Sequence, residues 1–153
     1  RQLAYVQKHL RILSAFYGVL EPMDGVTPYR LEMQAKVGIG AAKNLYDYWG
    51  ERLYRSVIDD SRVIINLASK EYSKCIEKYL TPKDTYITVS FCELSGNKLV
   101  TKGTYAKMAR GEMVRFMAER EIENPEEIRK FDRLGYTFRR DLSSESEYVF
   151  ERK

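Results

Sequence analysis

Short β-type runs alternate with helical stripes of apolar residues along most of this chain, and that alternation restricts it to layered arrangements of helices on a sheet. Leu3, Val6, Leu10, Leu13, Tyr17 and Leu20 recur at steps of three and four, which predicts an amphipathic helix from the first residues onward. Glu21-Pro22-Met23-Asp24-Gly25 and Pro28 break it, and the alternation of Leu31, Met33, Ala35 and Val37 predicts a strand over 29–37. Gly38-Ile39-Gly40 then opens a second helix with Ala42, Leu45, Tyr46, Trp49, Leu53 and Val57 on one stripe. Arg62 to Ala68 is β-branched and continuous, the pattern of a strand covered on both faces.

The second half mixes the two periods. Ser69 can cap a third helix that runs through Leu80 and stops at Thr81-Pro82. Tyr86 to Glu93 and Lys98 to Thr101 flank Ser95-Gly96-Asn97 as a hairpin. Thr104 can cap a fourth helix through Ile122. Asn124-Pro125-Glu126-Glu127 starts a fifth that ends at Gly135, with cap, N1 proline and first-turn acids in place. Tyr136 to Arg140 and Tyr148 to Arg152 read as a closing hairpin. The class expected is α/β shading into α+β, a mixed sheet with packed helices. The 153 residues hold no repeat or linker and are expected to form a single domain over 1–153. The chain opens inside a helix without a cap or an initiator Met, so it is expected to continue upstream.

Composition removes several classes of function. No stretch approaches the roughly 18 apolar residues of a membrane span, and Arg1-Gln2-Leu3 does not begin a signal peptide, so no membrane association and a cytoplasmic location are expected. Cys75, Cys92 and His9 are too few for a zinc site; no metal and no cofactor are expected, and two cysteines suit a reducing compartment. Neither cysteine has a resolving partner nearby in sequence, so neither is expected to be a redox sensor. The oligomeric state is not encoded in any pattern here.

Charge is more informative. The net charge is +4, and Lys98, Lys102, Lys107, Arg110 and Arg115 against the single Glu112 carry all of it. Such a run is either a solvated face or a phosphate-seeking surface. On the fourth helix, Tyr105, Ala109, Met113 and Phe116 share an apolar face while Lys107 and Arg110 lie opposite, an arrangement in which Arg110 could grip a phosphate bidentately and Lys107 add a point charge. Gly111 sits beside Lys107, and a mid-helix glycine asks for a close neighbour, whether backbone or ligand. Gly38-Ile39-Gly40 lacks the third glycine of a dinucleotide fingerprint and the Gly-Lys-Ser/Thr of a P-loop. It reads as a tight turn whose N–H groups, beside Lys36 and Lys43, could receive a phosphate. Arg30 with Glu32, and Asn66 with Ser69 and Glu71, adjoin strand ends where ligands of α/β sheets collect. An Arg30–Glu32 ion pair and a satisfied buried Asn66 are the structural alternatives.

The strings Leu13-Ser14, Tyr17-Gly18-Val19-Leu20, Pro28-Tyr29-Arg30-Leu31-Glu32-Met33 and Ile65-Asn66-Leu67-Ala68-Ser69 resemble the bacterial peroxide-stress protein YaaA family. Ala106-Lys107, Ala109-Arg110-Gly111, Gly135-Tyr136 and Val149-Phe150 are similar to it too. The resemblance runs in order almost end to end and implies the C-terminal part of a longer YaaA-like chain. It implies a cytosolic protein of the hydrogen-peroxide response that limits iron damage and binds DNA through a basic cleft.

Two functional readings follow. The first is a nucleic-acid-binding module using Lys102, Lys107, Arg110 and Arg115, with Arg30, Lys43, Asn66 and Ser69 as further phosphate-binding candidates and DNA as the partner. The second is an enzyme on a phosphate-bearing or nucleobase substrate, at a cleft of Arg30, Asn66, Lys107 and Arg110 with Glu32 or Glu71 as acid or base. Iron sequestration has only one His and no carboxylate cluster to support it.

Overall fold

The computed structural model describes residues 1–153. The contacts of the chain gather into two compact units: Arg1–Lys8, Ile65–Leu67 and Tyr86–Lys153 form the first, His9–Ile64 and Ala68–Thr85 the second.

In the first unit, helix α1 (Gln2–His9) precedes a mixed five-stranded sheet whose strands follow the order β3 (Val63–Asn66), β4 (Thr85–Ser95), β7 (Glu147–Arg152) and β6 (Tyr136–Phe138). The short β5 (Lys98–Val100) folds back on β4. Ser95 pairs with Lys98, which leaves the two-residue turn Gly96-Asn97, and Gly96 at φ +65° supplies the left-handed first position such a turn requires. β4 and β7 run parallel, Phe91 opposite Phe150, whereas β6 and β7 are antiparallel with Tyr136 opposite Arg152. Parallel neighbours need a long crossover. Helix α5 (Gly103–Arg120) lies within it and packs Ala106, Ala109, Met113 and Phe116 onto Ile87, Val89, Phe91 and Phe150. Phe131 sits between Phe116 and Phe150, with ring centroids 5.5 and 5.7 Å away and edge-on geometry.

The mixed sheet and its packed helices agree with the expected class. Several expectations change. The 3–20 stripe is not one helix: α1 stops at His9, and Ile12–Ser14 (β1) and Gly18–Leu20 (β2) form a hairpin instead. Gly18 takes φ +87° and lies against the Trp49 ring, where a Cβ would stand 2.9 Å from it, so a continuous helix through this point is excluded by backbone and packing together. Residues 29–37 are irregular apart from a turn at Met33-Gln34, for no neighbouring strand pairs with them. The second helix is split into α2 (Leu45–Trp49) and α3 (Arg52–Val57) by Gly50 at φ +54°. It begins at Leu45, where the Asn44 side chain accepts from Asp47 N–H at 2.8 Å, not at Gly40. The fifth helix is a 3₁₀ segment (Pro125–Lys130), capped by Asn124 as expected. The third helix, α4 (Lys70–Glu77), and α5 both form, but neither Ser69 nor Thr104 caps through its side chain.

The second unit is tied together by a buried acid. Asp84, whose side chain is 1% exposed, pairs with Arg62 at 2.7 Å and accepts hydrogen bonds from the Tyr54 hydroxyl at 2.5 Å and Thr81 N–H at 2.9 Å. Arg62 sits at φ +59°, and its carbonyl accepts from Thr85 N–H at 2.7 Å. The left-handed backbone that a β-branched or long side chain avoids is thus held from both sides. Burial disfavours the Asp84 carboxylate, but the Tyr54, Thr81 and Arg62 donors outweigh it and hold the carboxyl below its usual range. A depressed folded-state value stabilises the fold fully above the unfolded carboxyl range near ~4, and the gain is lost as pH falls through the lower folded value. Asp84→Asn should therefore lower the urea midpoint at pH 7, and the gap to the parent should narrow as unfolding is repeated below about pH 4. A gap that stays constant with pH would remove Asp84 from this role.

Candidate nucleic-acid interface

The charge of α5 is divided along its length. Its N-terminal half presents Lys102 at the cap position and Lys107 and Arg110 on the helix, with no acid in the first turn. None of the three has an ion-pair partner, and Lys98 has none either. In the C-terminal half Arg115 is paired with carboxylates, while Arg120 lies over the Phe116 ring at 4.5 Å in the last turn, where a cation suits the helix dipole. Arg115 pairs with Glu119 at 3.0 Å and reaches Glu112 at 3.9 Å, while Arg133 pairs with Glu112 at 3.2 Å and with Glu119 at 2.5 Å. Hydrogen bonds from Arg133 and Arg115 hold the Glu119 carboxyl below its usual range.

Lys107 and Arg110 lie within one turn and share the face away from Ala106, Ala109, Met113 and Phe116. Tyr105, placed by periodicity on that apolar face, is 44% exposed, and its ring is covered by the Arg152 guanidinium at 4.0 Å. Ala106 takes its place in the core. Of the expected phosphate ligands, Lys102, Lys107 and Arg110 therefore carry uncommitted charge, whereas Arg115 is already engaged with two carboxylates. The pairing of Arg115 with Glu119 has the i,i+4 spacing that sequence alone can offer, whereas the second cation on both glutamates, Arg133, comes from beyond the 3₁₀ segment.

Asn66 is buried at the end of β3 and its amide donates to the Thr88 hydroxyl at 3.3 Å. Ile65 and Leu67 pack against the core cluster that contains α5, so strand alternation puts Asn66 on the opposite sheet face. There the Ser90 hydroxyl also donates to Glu147 at 2.7 Å, a polar pair that the sequence analysis did not single out. Arg30, Lys43 and Ser69 belong to the second unit. Arg30 and Lys43 are exposed and lack ion-pair partners, and no ion pair joins Arg30 to Glu32. Ser69 precedes α4 and its carbonyl accepts from Ser73 N–H at 2.9 Å. Glu71 accepts from Gln34 N–H at 3.3 Å, and Glu32 is exposed. Gly38-Ile39-Gly40 closes a small turn in which Ile39 and Ala42 exchange backbone hydrogen bonds at 3.0 and 3.1 Å.

Gly111 is not a close-approach position. A Cβ placed there meets nothing within 4 Å, and the residue faces a groove of about 290 Å³ lined also by Leu3, Val6, Val114 and Ala118. Gly111→Ala should accordingly raise stability by about 1 kcal/mol, read from denaturant unfolding. A loss instead would mean that the groove is filled in solution.

Both cysteines are free and buried. Burial pushes the Cys75 thiol up to about 11 and the Cys92 thiol up as well, the latter with help from Glu151. At about 11 the thiolate fraction at pH 7 is on the order of 10⁻⁴, too small for a reactive sensor. Native protein at pH 7 should react with an aromatic disulfide reagent at least about tenfold more slowly than protein in urea. Fast labelling of the folded chain would contradict that. No group of three or more His, Cys, Asp or Glu side chains is arranged to hold a metal ion. No helix is long and apolar enough to cross a membrane.

Comparison with known proteins places this geometry in a family. The model of the family described as peroxide stress protein YaaA matches residues 1–142. The chain belongs to that family. A UPF0246 protein of Agathobacter rectalis is 84% identical over 99% of the chain and 61% of its own length. Those of Lachnoclostridium phytofermentans and Desulfitobacterium hafniense are 56% and 55% identical over 97% and 95% of the chain, and in each the match covers 58% of the relative. The chain thus spans about three fifths of the length of the curated relatives it matches.

Proposed function

We propose that this YaaA-family chain acts in the peroxide-stress response of the bacterial cytosol by binding nucleic acid, DNA in the first instance, through phosphate contacts from the N-terminal half of α5. The observation that carries this reading is an electrostatic imbalance. A helix N-terminus is already positive, and a cation in its first turn is unfavourable by about 0.3–1 kcal/mol. Lys102 stands at that end, the side chain of Lys107 leans back toward it, and no acid relieves either. In the other half of the same helix, arginines are matched with Glu112 and Glu119. A bound anion removes the imbalance, and a phosphate does so with hydrogen-bond geometry suited to the planar guanidinium of Arg110. Arg30 and Lys43, exposed and unpaired, supply further cations in the second unit.

A phosphate-only interface predicts a specific salt dependence. Each neutralised phosphate releases condensed counterions, so log affinity for duplex DNA falls with log salt by roughly 0.9 per contact. Lys107→Ala with Arg110→Ala should flatten that slope by roughly 1.8, and should weaken binding equally for unrelated sequences because phosphate contacts position without reading bases. Lys8→Ala with Lys130→Ala removes the same charge elsewhere and serves as the control. Salt titrations of the full-length protein by fluorescence anisotropy make the comparison. An unchanged slope in the α5 double mutant, or an equal change in the control, would reject the interface.

A further inference from the structure

The tip of the β1–β2 hairpin is fixed from within at every residue except the one it displays. Ala15 is 1% exposed, and its carbonyl accepts from Trp49 Nε1 at 2.9 Å. Ser14 is 3% exposed; its hydroxyl accepts from Tyr17 N–H at 3.0 Å and shares a hydrogen bond with the Tyr29 hydroxyl at 2.5 Å. The Tyr17 hydroxyl accepts from Thr27 N–H at 2.7 Å. Gly18 is locked against Trp49. A turn held at all these points has no freedom to fold its remaining side chain inward, and that side chain is Phe16, 56% exposed.

Phe16 is not alone. Its ring centroid lies 4.9 Å from Tyr17, edge-on, and 5.3 Å from Tyr29, tilted by 34°; Tyr17 and Tyr29 are 5.7 Å apart. Both tyrosine hydroxyls are spent on hydrogen bonds within the unit, so the polar ends of the triad are occupied while Phe16 and Tyr29, 43% exposed, keep ring surface in solvent. Arg30 follows Tyr29 directly. It is exposed, with no carboxylate partner.

A rigidly presented ring without a polar group, packed on the tyrosine that an exposed, unpaired arginine follows in the chain, matches an unpaired nucleobase and a phosphate of its strand. The base offers a flat π-face that stacks regardless of identity, and the phosphate offers the charge Arg30 lacks. Preorganisation adds to the match, because little side-chain freedom remains to be lost on contact. We infer that Phe16, backed by Tyr17 and Tyr29, is a stacking platform for an unpaired base of a single-stranded nucleic acid, with Arg30 on the adjoining phosphate. The inference rests on the nucleic-acid reading above and narrows its ligand from any phosphate chain to strands with exposed bases.

The test compares full-length protein with its Phe16→Ala and Phe16→Leu variants. Two labelled probes carry the same number of phosphates: an oligothymidylate, and a strand made only of abasic sites. Phe16 is more than half exposed and contributes little to the core, so both variants should fold, which circular dichroism and thermal melts establish. Phe16→Ala should weaken oligothymidylate binding by about 5- to 150-fold, leave the salt slope as it was, and leave binding to the abasic strand unchanged. Phe16→Leu should lose nearly as much, because it keeps apolar bulk without a π-face. Oligothymidylate binding that survives Phe16→Ala overturns the platform while the phosphate interface of α5 stands. Full retention by Phe16→Leu, or a change in self-association in place of strand binding, assigns the tip to protein contacts and overturns it as well. A parent protein that binds duplex DNA but neither single-stranded probe overturns the platform alone, and one that binds none of the three rejects both readings.

Discussion

The parallel pairing of β4 with β7 is the constraint from which the first unit follows. Setting Phe91 beside Phe150 in parallel register obliges the chain to cross over before β7 begins, and α5 occupies that crossover. Once there, α5 has one face committed to the sheet through Ala106, Ala109, Met113 and Phe116. The other face is solvated and carries Lys107, with Arg110 half-buried at its edge. The crossover also brings Phe131 between Phe116 and Phe150, so the 3₁₀ segment ends in the core rather than beside it.

The same geometry separates charges that look equivalent in sequence. Arg133 comes after the 3₁₀ segment and meets Glu112 and Glu119 on the C-terminal half of α5, where Arg115 also pairs. Two arginines and two glutamates cancel. Lys102, Lys107 and Arg110 have no such counterparts and stand toward the positive end of the helix, whereas the other unmatched cation, Arg120, is in the last turn where the dipole favours it. A solvated face with mixed charge would be ordinary; the unmatched one at the positive end of the helix is what the proposed phosphate contacts rest on.

In the second unit the controlling contact is Gly18 on Trp49. Only a glycine at φ +87° lets the hairpin approach that ring, and the approach lets Trp49 Nε1 reach the Ala15 carbonyl. Phe16 is exposed as a result of this anchoring, not through looseness of the turn. Asp84 plays a comparable part at the other end of the unit, where Arg62, Tyr54 and Thr81 converge on one buried carboxylate and hold the backbone of Arg62 in a conformation it would otherwise avoid.

Local signals were legible wherever a few neighbouring residues decide the outcome. The Gly96-Asn97 turn, the Asn124-Pro125 start, α4 and the closing β6–β7 pair could all be read directly, because turn chemistry and capping act over three or four residues. The apolar face of α5, the buried Asn66 and the local charge excess were legible too. The helix expected over 3–20 was not realised, because a stripe at steps of three and four also fits a short helix followed by a hairpin, and Trp49, 31 residues beyond Gly18, decides between them. Residues 29–37 alternate as a strand should, yet a strand exists only where a partner strand supplies its hydrogen bonds. Arg115 looked like a phosphate ligand until Glu119 and its neighbour Arg133 were in place. The sequence by itself therefore determined the class, several local turns, the Ala109, Met113 and Phe116 part of the face α5 buries, and the family. Tertiary structure alone decided which cations remain unmatched and which aromatic side chain stays in solvent, since both depend on groups brought together from distant parts of the chain.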